Sequence, residues 1–243
     1  MYKDKEGRRD GMKAEHITFT YKKAKRVLFE DISFRLHPDK INVLVGPNGA
    51  GKTTLFDCIS GILRPQSGNM DFPGMDNILY VTQSVFFSPE LKGKDFLKFI
   101  KRIGNQRANS NPLDYLKSDE EREKELLLKL WDLKIGKMSV GERKWLFIMM
   151  LTQIERELYL LDEPTSGVDP TSRKRIFNLV NHLVARKKTV VISTHQLNEL
   201  LHLDCHMILL HKGKIRYEGN IDKWLEMHDT DDPDQAFDLA TSL

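Results

Sequence analysis

The hydrophobic pattern divides the chain into short apolar runs separated by longer amphipathic stretches. Six runs are bounded by turn residues: HITFTY (16–21), INVLVG (41–46), ILYVTQ (78–83), LYLLDE (158–163), KTVVIST (188–194) and HMILLH (206–211). Several are rich in β-branched residues, which is typical of strands buried on both faces of a sheet. Helical stretches after Gly51 and from Pro170 to about Arg186 alternate with them. This alternation predicts an α/β fold with a largely parallel sheet.

Two regions depart from the alternation. Residues 16–36 contain two short alternating runs, which predict a small antiparallel β subdomain at the front. Residues 84–152 carry few strand signals and predict a helical subdomain inserted into the core. We therefore expect one domain over residues 13–227. Residues 1–12 are predicted to be a flexible leader, either a tag or a native extension, and residues 228–243 an acidic, solvated and partly disordered tail.

Composition is that of a globular protein, with 40% hydrophobic and 30% charged residues among 243. No apolar run approaches the roughly 18 residues that cross a bilayer, and the N-terminus lacks the apolar centre of a secretory signal. The net charge is +3, of which +2 lies in residues 1–13, so the nearly neutral remainder argues against nucleic-acid binding. Cys58 and Cys205 form no CxxC pattern and are expected to be buried, reduced thiols of a cytosolic protein.

A glycine-rich segment, GPNGAGKTT at residues 46–54, follows one predicted strand and opens a helix. Gly-x4-Gly-Lys-Thr in this context is the P-loop, whose backbone amides and helix N-terminus hold phosphate. Lys52 is expected to reach the β- and γ-phosphates, and Thr53 to bind Mg²⁺. The predicted nucleotide contacts are Gly46, Pro47, Asn48, Gly49, Ala50, Gly51, Lys52, Thr53 and Thr54.

A pair of carboxylates, Asp162 and Glu163, ends the apolar run at 158–161. Two adjacent buried carboxylates are costly without a cation, but at the carboxyl end of a strand they can face a ligand crevice. We expect Asp162 to bind Mg²⁺, directly or through water. Glu163 is expected to orient and polarise the attacking water.

Together these motifs resemble those of the ATP-binding subunit of an ABC transporter, in the family's order and over about residues 13–222. The resemblance implies that Tyr21 stacks on adenine. It implies that Gln83 contacts Mg²⁺ and the attacking water and links the site to a membrane subunit. It also implies that His195 touches the γ-phosphate and that residues 166–169, including Asp169, cross to a second ATPase chain.

Residues 138–142, here called the signature segment, stand where the family has Leu-Ser-Gly-Gly-Gln. The resemblance implies that this segment meets ATP held by the P-loop of a partner chain. Ser139 and Gly141 are kept, whereas Val140 replaces a glycine and Glu142 replaces a glutamine. Trp145 stands where arginine is usual. The departures leave both a homodimer and a heterodimer with a second ATPase chain open.

The implied function is that of an ATP-hydrolysing subunit, cytoplasmic and peripheral on the inner face of the membrane, that powers a separate transmembrane permease. Phe86 and Phe87 are candidates for contact with the permease, and packing inside the helical subdomain is the alternative. Only about twenty residues follow Lys223, where many importers have a longer domain. This favours export of a peptide, antibiotic or lipid by a bacterial transporter.

Two other functions compete with transport. One is a non-transport ABC ATPase acting on nucleic acid or ribosomes. The roughly fifty residues between Gln83 and Ser139 are too few for the long coiled coil of chromosome and repair ATPases. The other is a non-catalytic regulatory binder, which the presence of Lys52, Asp162, Glu163 and His195 argues against.

Overall fold

The computed structural model describes residues 11–22, 27–84, 87–103, 111–116 and 120–241. The strands are β1 (Lys13–Phe19), β2 (Phe29–Arg35), β3 (Ile41–Val45), β4 (Ser67–Asp71), β5 (Ile78–Val81), β6 (Leu158–Leu161), β7 (Thr189–Thr194), β8 (Cys205–His211) and β9 (Lys214–Gly219). The helices are α1 (Lys52–Ile59), α2 (Gly93–Ile103), α3 (Glu121–Asp132), α4 (Val140–Leu151), α5 (Pro170–Ala185), α6 (Ile221–Met227) and α7 (Pro233–Thr241).

The main sheet has the strand order β5-β6-β7-β3-β8-β9. Its first five strands pair in parallel, and only the edge strand β9 is antiparallel to its neighbour. Every residue of β3 and β6 is buried, as expected for strands covered on both faces. The prediction of an α/β core with a largely parallel sheet is confirmed. Because parallel strands end at one edge, the segments after β3, β5, β6 and β7 meet there.

The small sheet has three antiparallel strands in the order β2-β1-β4. The two strands predicted between residues 16 and 36 are β1 and β2, so the antiparallel subdomain is confirmed. The third strand, β4, was not predicted because its sequence SGNMD is polar and its residues are mostly exposed. It is held by backbone pairing to β1, with Lys13 opposite Asp71. Met12 packs against this sheet's core, one residue before the predicted domain start.

The inserted subdomain consists of α2, α3 and α4, which pack on one another. Phe87 lies between Phe96 and Phe147, with ring centroids 4.4 Å and 5.1 Å away. Phe87 is therefore partly buried against the core. Of the two roles considered for this residue, the structure shows packing inside the helical subdomain. Phe86 lies outside the described residues.

Where the structure describes the predicted tail, part of it is a helix packed against the core. Residues Pro233–Thr241 form α7, with Ala236 fully buried and Phe237 packed against the main core. Asn198 Nδ2 donates a hydrogen bond to Asp234 on this helix at 3.0 Å. The apolar residues recur at helical spacing on one face, while the acidic ones that dominate the composition face solvent or cap the helix.

Both cysteines are buried and unpaired, as predicted. Burial raises the pKa of each thiol to about 12. Among the helices in the described ranges, none has the length and apolar character needed to span a bilayer.

Candidate nucleotide-binding and catalytic site

The P-loop connects β3 to α1 at the carboxyl edge of the main sheet. Gly51 immediately precedes α1 with φ of 105°, a left-handed conformation that favours glycine. A Cβ at this position would lie 2.7 Å from the Phe29 ring. The loop therefore turns tightly against the small sheet, and the N-terminus of α1 faces the site.

Lys52 is buried, with 6% of its surface exposed. Its Nζ donates hydrogen bonds to the carbonyls of Gly46 at 2.7 Å and Pro47 at 3.3 Å, and lies 3.5 Å from Glu163 Oε1. Burial lowers the pKa of this ammonium, and the nearby Glu163 carboxylate opposes that shift. The cation is thus held at the centre of the loop, next to the acidic end of β6.

Asp162 is anchored from two sides. Thr53 Oγ1 donates to its Oδ2 at 2.7 Å, and Ser193 Oγ donates to its Oδ1. Ser193 also accepts from the Glu163 amide at 2.9 Å, so one hydroxyl fixes both acidic residues. Ser193 was not predicted from the sequence. It lies two residues before His195 on β7, and the pairing of β7 with β6 is what brings it to the acidic pair.

Glu163 brings three elements together at one carboxylate. Gln83 Nε2 donates to Oε2 at 3.0 Å, while His195 Nδ1 lies 3.1 Å and Lys52 Nζ 3.5 Å from Oε1. The residue is 7% exposed and has φ of 46°, a left-handed backbone that costs a non-glycine residue about 1–2 kcal/mol. Lys52 and His195, which are 143 positions apart in the chain, therefore converge with Gln83 on this one side chain.

A cavity of about 640 Å³ opens beside these groups. Its lining includes Asn48, Gly49, Gly51, Lys52, Thr53, Thr54, Gln83, Glu163, His195 and Tyr21. Pro47 and Ala50 line a neighbouring hollow that Tyr21 shares. The Tyr21 hydroxyl hydrogen-bonds Thr54 Oγ1 at 2.8 Å, and 45% of the residue is exposed. An exposed aromatic ring at the rim of a phosphate-binding loop suits a planar base.

The signature segment lies outside that cavity. Ser139 is the N-cap of α4 and forms a reciprocal capping box with Glu142, at 3.1 Å and 2.9 Å. Glu142 also accepts a hydrogen bond from Lys129 Nζ at 2.7 Å. This bond lowers the pKa of Glu142 most, and the bond from the Ser139 amide lowers it further. The extra acidic charge is thus paired within the chain. Val140 is 44% exposed.

Gly141 and Asp169 meet at the N-terminus of α5. Asp169 accepts from the Ser172 amide at 3.0 Å and from its hydroxyl at 2.6 Å, and these bonds lower the Asp169 pKa. A Cβ on Gly141 would lie 2.2 Å from Ser172 Oγ, so α4 begins in close contact with α5. Trp145 is fully buried and contributes to the core. In this chain Asp169 caps its own helix.

The residues present fit Mg²⁺. Thr53 and Asp162 supply neighbouring oxygen ligands, the type that Mg²⁺ prefers. Within the described ranges no three His, Cys, Asp or Glu side chains form a cage.

A parallel sheet, a P-loop at its edge and an acidic pair on the adjoining strand define a P-loop nucleotide-binding protein. Residues 29–166 match the family described as "ABC transporter". The chain is 30% identical over 211 residues to the doxorubicin resistance ATP-binding protein DrrA of Mycobacterium tuberculosis, and 31% over 202 to the zinc import ATP-binding protein ZnuC of Buchnera aphidicola. The chain therefore belongs to the ABC transporter family.

Coverage and structure agree with this assignment. The ZnuC match covers 83% of this chain and 80% of the relative. The DrrA match covers 82% of this chain, which spans only 62% of that relative's length. A solved nucleotide-free ATP-binding cassette from an ABC transporter, 25% identical, superposes with a TM-score of 0.69 over 92% of this chain and 96% of the other.

Proposed function

We propose that the chain binds ATP with Mg²⁺ and hydrolyses it to power a separate transmembrane permease. The observation that carries the proposal is the buried Glu163 carboxylate, contacted by Gln83, His195 and Lys52 within 3.5 Å beside the P-loop. A general base must be held in a fixed position next to the water that attacks the phosphate, and residues from three separate parts of the chain hold the Glu163 carboxylate.

The residues divide the work of hydrolysis by position. The P-loop amides and Lys52 bind the β- and γ-phosphates, and Tyr21 stacks on adenine. Glu163 orients and polarises the attacking water, Gln83 positions that water, and His195 contacts the γ-phosphate. Thr53 and Asp162 would hold Mg²⁺, which would supply positive charge to the phosphate oxygens.

We further propose that two ATPase chains complete each other's sites. Ser139, Val140, Gly141 and Glu142 would then contact ATP held by the partner, with Asp169 near the interface. Ser139 and Val140 are exposed and lie outside the cavity beside the P-loop of their own chain, which supports this arrangement. A helix N-terminus favours an anion, so α4 can meet a phosphate.

The composite site has its own test. With a homodimer, ATP turnover per chain should rise with protein concentration, and Val140→Gly should increase it by relieving the β-branched residue. A rate per chain that stays constant with concentration contradicts a self-paired site. Turnover restored only by a second ATPase chain identifies the heterodimer.

For cellular role, we propose a subunit peripheral to the inner face of the cell membrane, attached through the permease, that drives export of a peptide, antibiotic or lipid. The drug-resistance relative supports export, while the zinc-import relative supports the opposite direction. Uptake of labelled substrates into inside-out vesicles carrying the permease distinguishes them, because only export accumulates substrate inside.

The proposed activity is tested by Mg²⁺-dependent ATP hydrolysis, comparing the wild type with Glu163→Gln. Glutamine keeps the shape and removes the base, so turnover should fall at least about 100-fold while ATP binding is kept. Retained turnover in Glu163→Gln removes that residue from the role. ATPase activity that requires added nucleic acid contradicts the transport function.

A further inference from the structure

Lys144 is a partly buried cation that the proposed reaction does not use. It lies in the first half of α4, one turn after Val140 of the signature segment. Its Nζ donates to the carbonyl oxygens of Glu163 at 3.1 Å and Ser166 at 2.7 Å. The ammonium therefore reaches from the helix that begins at the signature segment to the loop that carries the proposed base.

The two carbonyls belong to the two ends of one turn. The Ser166 amide donates to the Glu163 carbonyl at 3.2 Å, which closes the turn over residues 163–166. Lys144 bonds both the first and the last carbonyl, so it fastens the turn at each end. Residues 167–169 then lead from the turn into α5.

The turn needs such support because Glu163 has a left-handed backbone, with φ of 46°. A non-glycine residue persists in that region only where its surroundings hold it. Ser193 holds the Glu163 amide at 2.9 Å on the side of the sheet. On the opposite side Lys144 is the only side chain within the described residues that bonds the Glu163 carbonyl.

The partial burial of Lys144 has a cost that these bonds offset. Burial lowers the pKa of the ammonium, and the Glu163 charge opposes the shift. Its neighbour Arg143 is also cationic. Arg143 and Lys144 both line a second cavity, of about 410 Å³. Across the described part of the chain, however, the Arg143 side chain makes no hydrogen bond or ion pair. Position, more than charge, distinguishes the two residues.

We infer that Lys144 is a positioning residue: by bonding both ends of the turn at 163–166, it sets the backbone from which the Glu163 carboxylate projects. It thereby ties the first turns of α4, next to the segment that meets the partner's nucleotide, to the base that acts on the chain's own nucleotide. This inference rests on the proposed role of Glu163 in hydrolysis.

The test compares Lys144→Met with Arg143→Met, two changes that remove one positive charge from neighbouring residues. Lys144→Met should lower kcat by roughly 10- to 100-fold, the effect of a base displaced by up to about 1 Å, with KM for ATP changed less than about twofold. Arg143→Met should leave kcat within about twofold. Lys144→Arg, which can still donate to both carbonyls, should recover most of the rate.

A second readout does not depend on turnover. In the chain without nucleotide, amide hydrogen exchange over residues 162–168 should be faster in Lys144→Met than in Arg143→Met, with exchange of β6 and α5 unchanged. Lys144→Gln, too short to reach both carbonyls, should behave like Lys144→Met and serves if the first variant folds poorly.

Equal kcat and equal exchange in the Lys144 and Arg143 variants overturn the inference. So does faster exchange with unchanged kcat, because the turn would then not govern the base. If the wild type shows no turnover at all, the proposed hydrolysis fails instead, and exchange alone decides whether Lys144 holds the turn.

Discussion

Gly141→Ala gives a sharp test of the contact between the signature segment and α5. The added Cβ would lie 2.2 Å from Ser172 Oγ, 2.6 Å from Ser172 Cβ and 2.8 Å from Asp169 Oδ2. Rotation of the Ser172 hydroxyl removes the first overlap, but the Cβ is fixed to the backbone. One of the two helices must therefore move.

The size of the effect follows from these distances. Carbon atoms in contact sit about 3.5–4.0 Å apart, so the helix ends must separate by roughly 1 Å. Overpacking of this kind costs about 1–3 kcal/mol. Displacing Asp169 from its cap on α5 would add to this loss of stability. At about 2–4 °C per kcal/mol for a chain of this size, the melting temperature should fall by about 2–12 °C.

The assay is thermal unfolding of the purified chain, with Gly74→Ala as the matched control. Gly74 has φ of −60°, and a Cβ there meets nothing within 4 Å. The control should therefore melt within about 1–2 °C of the wild type. If Gly141→Ala melts with the control, the close packing of α4 on α5 is wrong.

Three further changes test the site. Thr53→Val keeps the shape but removes the hydroxyl bonded to Asp162, so Mg²⁺ should no longer strengthen ATP binding, measured by calorimetry with and without the metal; an unchanged Mg²⁺ effect contradicts the role. Tyr21→Leu should weaken ATP binding roughly tenfold through lost stacking, whereas Tyr21→Phe should not; equal weakening in both refutes stacking. Glu142→Gln should destabilise the chain at pH 7, because Lys129 lowers the Glu142 pKa. A carboxylate with a lowered pKa stabilises the fold only while it is ionised. The difference in free energy of urea unfolding between wild type and Glu142→Gln should therefore vanish as pH falls well below 4.5, and a difference independent of pH contradicts the ion pair with Lys129.

Much of the fold was predictable because its strands are short and nearly continuous in apolar character. The runs at 41–45 and 158–161 became the fully buried β3 and β6. Strand β4 was not predictable, because its sequence SGNMD lacks that apolar pattern and is ordered by pairing with β1. Helix α7 was missed because its acidic composition outweighed the spacing of Pro233, Ala236 and Phe237.

The residues of the site were predictable where chemistry requires a particular side chain in a particular order. Lys52, Asp162 and Glu163 belong to this group. Ser193 and Lys144 were not predictable, because each makes contacts to the backbone or to a carboxylate that exist only in the folded chain. Spacing along one chain also cannot reveal that Glu142 pairs with Lys129, thirteen positions before it.

We propose that Glu163 serves hydrolysis and not nucleotide binding. This role is tested by the identity of the nucleotide retained after Mg²⁺-ATP is incubated with excess protein for a single turnover, in wild type and Glu163→Gln. We expect ADP and phosphate from the wild type and intact ATP on Glu163→Gln. ADP appearing on Glu163→Gln at the wild-type rate would show that Glu163 is not the base.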